Sequence, residues 1–206
     1  MRQLRCAGIV VVAIWVCSAV VAAQHGTRDG QWRSYNGDAG STKCAPLGRI
    51  NKTNVGSLRI LWRRPAVDPT LTAKDSTLRI APNFRATPLM VNGVLYAPNG
   101  VGLAEAFDPS TGKTRWVQEP SAPNELAGDS TRGLAYWSDG GDERILLQRG
   151  EYLYALNAKT GKGYSTFGEG GRVNLSRGLG PLMTKYYWTG APLVIHDVVI
   201  IGASMT

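Results

Sequence analysis

Ala106-Phe107-Asp108-Pro109-Ser110-Thr111-Gly112-Lys113 has a second copy in Tyr152-Leu153-Tyr154-Ala155-Leu156-Asn157-Ala158-Lys159-Thr160-Gly161. In both, an apolar strand runs into a turn that carries Asp or Asn and then Thr-Gly. The offset between the Thr-Gly pairs is about fifty residues, the spacing of blade arrays. Working outward from the first copy, Leu89-Met90-Val91 and Val94-Leu95-Tyr96-Ala97 flank Asn92-Gly93, a strong hairpin signal. Leu103 to Phe107 reads as a third strand and Thr114 to Val117 as a fourth. Four antiparallel strands in so short a span make one propeller blade.

The pattern then returns. Arg144 to Gln148 and Tyr152 to Leu156 pair around Arg149-Gly150-Glu151. Ala191-Pro192-Leu193-Val194-Ile195, His196-Asp197 and Val198 to Gly202 repeat Thr87-Pro88-Leu89-Met90-Val91 and its hairpin. Upstream, Trp32 to Leu47 reads as ordered loop, Leu58 to Trp62 as a strand, and Asp68 to Ala81 gives no clear signal. The fold class expected is all-β, a β-propeller. Rings of this kind close with roughly four to eight blades. Two blades and the start of a third are legible here, and the sequence stops at Thr206, soon after the buried-looking strand Val198 to Ile201, so the chain is expected to be the N-terminal part of a longer protein. A self-contained small β domain, or an assembly of several copies, is the alternative.

Composition agrees. Hydrophobic residues make up 43% of the 206, charged residues only 18%, and the 25 glycines and 11 prolines suit a turn-rich β protein. The net charge of +8 is scattered, with no basic helix and no basic run interleaved with aromatics, which argues against nucleic-acid binding. Arg2 and Arg5, then the apolar run Ala7 to Val21, then Val21-Ala22-Ala23 read as an export signal cut before Gln24. An uncleaved membrane anchor is the competing reading. The organisation expected is therefore a signal peptide over 1–23 and an incomplete propeller over 24–206, in a periplasmic or exported protein with possible membrane association. Cys6 and Cys17 lie in the leader, so Cys44 is alone in the mature chain; it is expected to be a partly buried, unreactive residue.

On these residues the chain resembles the N-terminal third of the pyrroloquinoline-quinone (PQQ)-dependent dehydrogenases, eight-bladed quinoproteins that oxidise alcohols and sugars. The marks are Gly37 to Lys43 with Ala45-Pro46-Leu47, Ile50-Asn51 with Asn54-Val55, Thr87-Pro88-Leu89, Arg132-Gly133-Leu134-Ala135-Tyr136-Trp137, and Ala191 to Val194 ending in Ile201-Gly202-Ala203-Ser204. The resemblance implies hydride transfer from a sugar, polyol or alcohol hydroxyl to PQQ, a planar ortho-quinone with three carboxylates. It matches Arg132 to the arginine at the quinone rim, a task that suits a planar guanidinium. It matches Thr189 and Ser204 to hydroxyls that bond a cofactor carboxylate. Ca²⁺ as Lewis acid and an aspartate base are implied as well, with neither placed before Thr206, so this portion alone is expected to be inactive. Electrons would leave to membrane quinone or cytochrome c.

The chain departs from the pattern twice. Leu126-Ala127 stand where some relatives carry an adjacent cysteine pair, which leans toward the sugar or polyol branch. Arg85 stands where many carry a glutamate. Trp62 and Trp116 are expected to pack in the blades rather than against the cofactor, and Trp137 and Trp188 to be structural. Asp139 and Asp142 lack the spacing of an EF-hand and read as a solvated turn. There is no Gly-x-Ser-x-Gly and no Cys-x-x-Cys-His. A non-catalytic propeller that serves as an envelope interaction scaffold is the alternative function.

Overall fold

The computed structural model describes residues 27–38, 40–78, 80–120, 132–179, 186–188 and 190–205. Two four-stranded antiparallel sheets carry the architecture. The first runs β1 (Leu89–Val91), β2 (Val94–Pro98), β3 (Ala104–Phe107), β4 (Thr114–Val117), and each strand pairs with the next. The second repeats this order in β5 (Ala135–Asp139), β6 (Asp142–Arg149), β7 (Tyr152–Asn157) and β8 (Arg172–Asn174). A third unit begins with β9 (Tyr186–Tyr187), β10 (Leu193–Ile195), β11 (Val198–Ile200) and β12 (Ser204–Met205). Here β10 pairs with β11 and β9 with β12, both antiparallel.

The turns explain why these segments stop where they do. Asn92 and Gly93 both take positive φ, at 49° and 75°, as the tight β1–β2 hairpin requires. In the repeated turn, Asp108 Oδ1 accepts the backbone N–H groups of Ser110 and Thr111 at 3.0 and 2.9 Å. Asn157 Oδ1 does the same for Lys159 and Thr160 at 3.0 and 3.1 Å. These side chains mimic a backbone turn. The bonds hold the Asp108 carboxyl far below the usual carboxylate range, led by the Ser110 and Thr111 hydroxyls.

The sheets pack face to face. Leu89, Val91, Tyr96, Ala106 and Trp116 of the first interlock with Leu134, Ile145, Leu147, Tyr154 and Leu156 of the second. The far face of the second sheet buries Ala135, Leu146, Leu153 and Ala155 against Val194, Val199 and Ile201 of the third unit. A tryptophan fastens each junction. Trp116 Nε1 donates to Ala158 O at 2.9 Å, and the indole lies on Gly161. Trp62 Nε1 donates to Pro109 O at 2.9 Å and lies on Gly112 in the same way. Both tryptophans are packing residues, as expected.

Other expectations need correction. Leu58–Trp62 forms no strand, because no described segment lies beside it to complete a ladder; Leu58, Ile60 and Leu61 are exposed. It holds its place through Trp62, in the position relative to the first sheet that β4 holds relative to the second. The Val198–Ile201 run is not buried on both faces: Val199 and Ile201 pack inward, while Val198 is 61% exposed. Cys44 is exposed, since its backbone carbonyl, not its thiol, is engaged, accepting from Thr27 N at 2.9 Å. A short helix, α1 (Pro69–Lys74), lies in the stretch without a clear signal, with Asp68 as its N-cap and Pro69 at its first position. The leader at 1–23 and the Leu126-Ala127 pair lie outside the described residues, and no described helix is long and apolar enough to cross a membrane.

Beside α1, charge is buried. Arg64 Nη2 meets Glu105 Oε2 at 2.5 Å, Asn99 Nδ2 donates to Glu105 Oε1 at 2.9 Å, and Thr114 Oγ1 donates to Asp68 Oδ2 at 2.8 Å. Burial pushes the Glu105 carboxyl up, only partly offset by Asn99 and Arg64. Burial works on Asp68 too, but bonds from Thr70 and Thr114 and the charge of Arg64 outweigh it and hold that carboxyl low.

Candidate cofactor-binding site

The three units converge where their first strands begin. Thr87, just ahead of β1, bridges Gly133, just ahead of β5, in a parallel sense, and Thr87 N donates to Arg132 O at 3.0 Å. Gly133 is buried; a Cβ there would stand 3.4 Å from Thr87 O, from the Ala191 Cβ and from the Tyr35 ring. Ala191 leads into β10. The starts of β1, β5 and β10 are therefore close neighbours, while β4 and β8 lie at the far edges of their sheets. Glycine at 133 permits this close approach.

This convergence places Arg132 at the hub. Its backbone carbonyl ties the first two units together, and its side chain is exposed. Ser204, in β12, is exposed and stands opposite Tyr187 of β9, upstream of Gly190 and Ala191 on the same hairpin. Gly190 packs beside the Gly202 backbone, so the Ser204 end of the hairpin shares the end of the third unit that carries Ala191. Thr189 lies outside the described residues. The structure thus brings Arg132 beside the entry to β10. Tyr35 also reaches this junction, and no local signal in the sequence marks it, because the contact spans the whole first unit.

The remaining aromatic and acidic candidates have partners of their own. Tyr186 and Trp188 stack with centroids 5.5 Å apart at 18°. Trp137 Nε1 donates to Asp197 Oδ1 at 3.2 Å, and its ring lies under the Arg144 guanidinium at 5.0 Å, which joins the second unit to the third. Asp139 is exposed in its turn, but Asp142 is not merely solvated: it pairs with Arg144 and accepts from the Tyr164 hydroxyl. Those bonds, Arg144 first, draw its carboxyl below the usual range. Among the described residues no three His, Cys, Asp or Glu side chains cluster as metal ligands.

A family model described as the β-propeller domain of glucose/ethanol/alcohol dehydrogenases, under the heading PQQ, matches residues 32–206. The chain belongs to this quinoprotein family. Among curated proteins it is 30% identical over 191 residues to the dehydrogenase subunit of the quinone-type alcohol dehydrogenase of Gluconobacter oxydans, covering 90% of this chain and 23% of that protein. It is 27% identical to the cytochrome c-type 1-butanol dehydrogenase of Thauera butanivorans, covering 84% of this chain and 22% of that protein. The crystal structure of the quinohemoprotein alcohol dehydrogenase from Comamonas testosteroni superposes with a TM-score of 0.66 at 25% identity, over 91% of this chain and 25% of that one. The quinoprotein chain thus spans about a quarter of the length of these relatives. The two sheets and the third hairpin are blades of the quinoprotein propeller, as the repeated turns imply.

Proposed function

We propose that this chain supplies the first blades and part of the cofactor rim of a PQQ-dependent dehydrogenase that oxidises an alcohol hydroxyl. The observation that carries the reading is the exposed guanidinium of Arg132 at the point where the starts of β1, β5 and β10 meet. The donor set fits the group. A planar tricarboxylate asks for cations and hydroxyl donors, and the segments that meet at the hub, 87–88, 132–134 and 190–192, contain arginine and threonine but no carboxylate. Arg132 would hold the quinone rim, and Ser204 and Thr189 would donate to a carboxylate. When bound, PQQ supplies the two-electron acceptor that takes hydride from the carbinol carbon. Around it, the guanidinium fixes orientation and balances charge, and the hydroxyls add donors without adding further charge.

The finer reading follows the family resemblance. The substrate is a small alcohol, polyol or sugar; Ca²⁺ would serve as Lewis acid; electrons would pass to cytochrome c or membrane quinone. The likeness to the butanol enzyme, whose name includes cytochrome c, supports the first acceptor. The apolar leader supports a periplasmic or exported location.

Absorbance titration of the full-length apoprotein with PQQ tests the assignment. Arg132→Ala should weaken binding by about tenfold or more, the weight of one charge-assisted contact. The loaded wild type should reduce an artificial dye with alcohols, polyols or glucose. Unchanged affinity in the variant would remove Arg132 from the site, and no dye reduction across the panel would remove the activity.

A further inference from the structure

Arg85 lies two positions before Thr87, whose backbone N–H donates to Arg132 O. The segment from Ala81 to Thr87 is fixed at both ends. Ala81 N donates to Gly100 O at 2.8 Å, and Gly100 N donates to Ala66 O at 2.6 Å, which pins the outer end to the β2–β3 loop. Thr87 N donates to Arg132 O at 3.0 Å, which pins the inner end to the hub. Pro82 and Pro88 stiffen the span. Gly100 is packed so closely under Ile80 and Ala66 that a Cβ would meet Ile80 at 2.9 Å, so the outer anchor has little freedom. Arg85 and Thr87 are two steps apart along the chain, with Ala86 between them, at most about 7 Å. The Arg85 side chain is exposed, as is that of Arg132.

Two long guanidinium side chains so close to one hub can reach a single flat ligand from adjacent positions. Holding two cations together costs electrostatic energy, which a polyanion between them offsets. A singly charged ligand gains little from the second cation, whereas a tricarboxylate can engage both at different edges. We propose that Arg85 and Arg132 form a two-cation clamp for a planar polycarboxylate, with Arg85 a specificity-determining residue of the cofactor rim. This rests on the reading of Arg132 given above.

The test is equilibrium binding of PQQ to the full-length apoprotein, followed by absorbance at several salt concentrations. Wild type, Arg85→Gln, Arg85→Lys, Arg132→Gln and the remote control Arg59→Gln are compared, with circular dichroism to confirm folding. Arg85→Gln should weaken binding about tenfold and flatten its salt dependence, since one fewer charge takes part. Arg85→Lys should keep the salt dependence and recover part of the affinity, and Arg59→Gln should match wild type. If Arg85→Gln binds like wild type while Arg132→Gln is impaired, the clamp is wrong and the Arg132 site stands. If the wild type binds no PQQ, the cofactor reading itself falls. If both arginine variants bind normally, the hub is not the ligand site.

Discussion

Alanine in place of Gly161 should lower the unfolding free energy by about 4 kcal/mol, close to the whole stability of many domains. Two effects add. Gly161 has φ of 72°, where a Cβ costs about 1–2 kcal/mol. The new Cβ would also stand 2.5 Å from the Trp116 ring, so the indole must move. Moving it forfeits the bond to Ala158 O, worth about 1 kcal/mol, and disturbs a core shared by both sheets, worth about 1–3 kcal/mol. Urea denaturation gives the number. Gly141→Ala is the control: it has no positive φ and open space at its Cβ, and should change stability by less than about 1 kcal/mol. Gly112→Ala sets the comparison. Its Cβ would meet Trp62 at 2.6 Å, but Trp62 tethers an exposed segment rather than filling the inter-sheet core. Its main effect should be faster proteolysis around 58–62, with a smaller loss of global stability. Equal global losses for the two variants would mean that the tryptophan seats do not differ as their burial suggests.

That pair of seats also shows what the sequence could and could not reveal. The repeat is local chemistry: an Asx side chain capping its own turn, then a glycine at positive φ. Both are written in adjacent residues, which is why the first blade and the hairpins β6–β7 and β10–β11 could be read directly, while β5, β8, β9 and β12 carry no such mark. Partnership is not local. Leu58–Trp62 has strand composition but no neighbouring strand among the described residues, so its β-propensity has no ladder to join. Helix α1 is too short to show a period, and only its Asp-Pro cap marks it. The run Val198 to Ile201 is uniformly apolar, and composition alone does not say which face is covered.

The site follows the same division. Arg132 was legible as a motif residue, and the geometry adds what the motif lacks: Arg132 lies at the hub because Gly133 lets Thr87 and Ala191 close in around it. Tyr35 was not legible, since nothing near it in the chain hints that it reaches Gly133. Arg85 was visible as a departure from the family pattern but had no assigned place. Its position becomes definite only through the two backbone anchors at Ala81 and Thr87, which join residues far apart in sequence.

The buried ion network gives the other large effect. Arg64→Ala should cost about 3 kcal/mol at neutral pH, because it leaves the Glu105 carboxylate buried without its cation. The sign of the pH dependence follows from the shifts. Burial already raises the Glu105 pKa, and losing Arg64 raises it further, so the cost is greatest where Glu105 must stay ionised. As pH falls through that raised pKa, protonation removes the stranded charge and the cost shrinks. Asp68 adds to this only at lower pH: its lowered pKa contributes stability that is present above the unfolded value and lost below it, part of it owed to Arg64, so between pH 7.5 and pH 5 the change comes from Glu105. The gap between wild type and variant should therefore narrow from pH 7.5 to pH 5 in thermal unfolding. Adding Glu105→Gln to Arg64→Ala should recover more than half of the loss at pH 7.5, because a neutral amide keeps a polar partner for Asn99 without a buried charge. A gap that stays constant with pH, or a double variant no more stable than the single, would mean that Arg64 acts through its packing on the Phe107 ring, 4.4 Å away, rather than through charge.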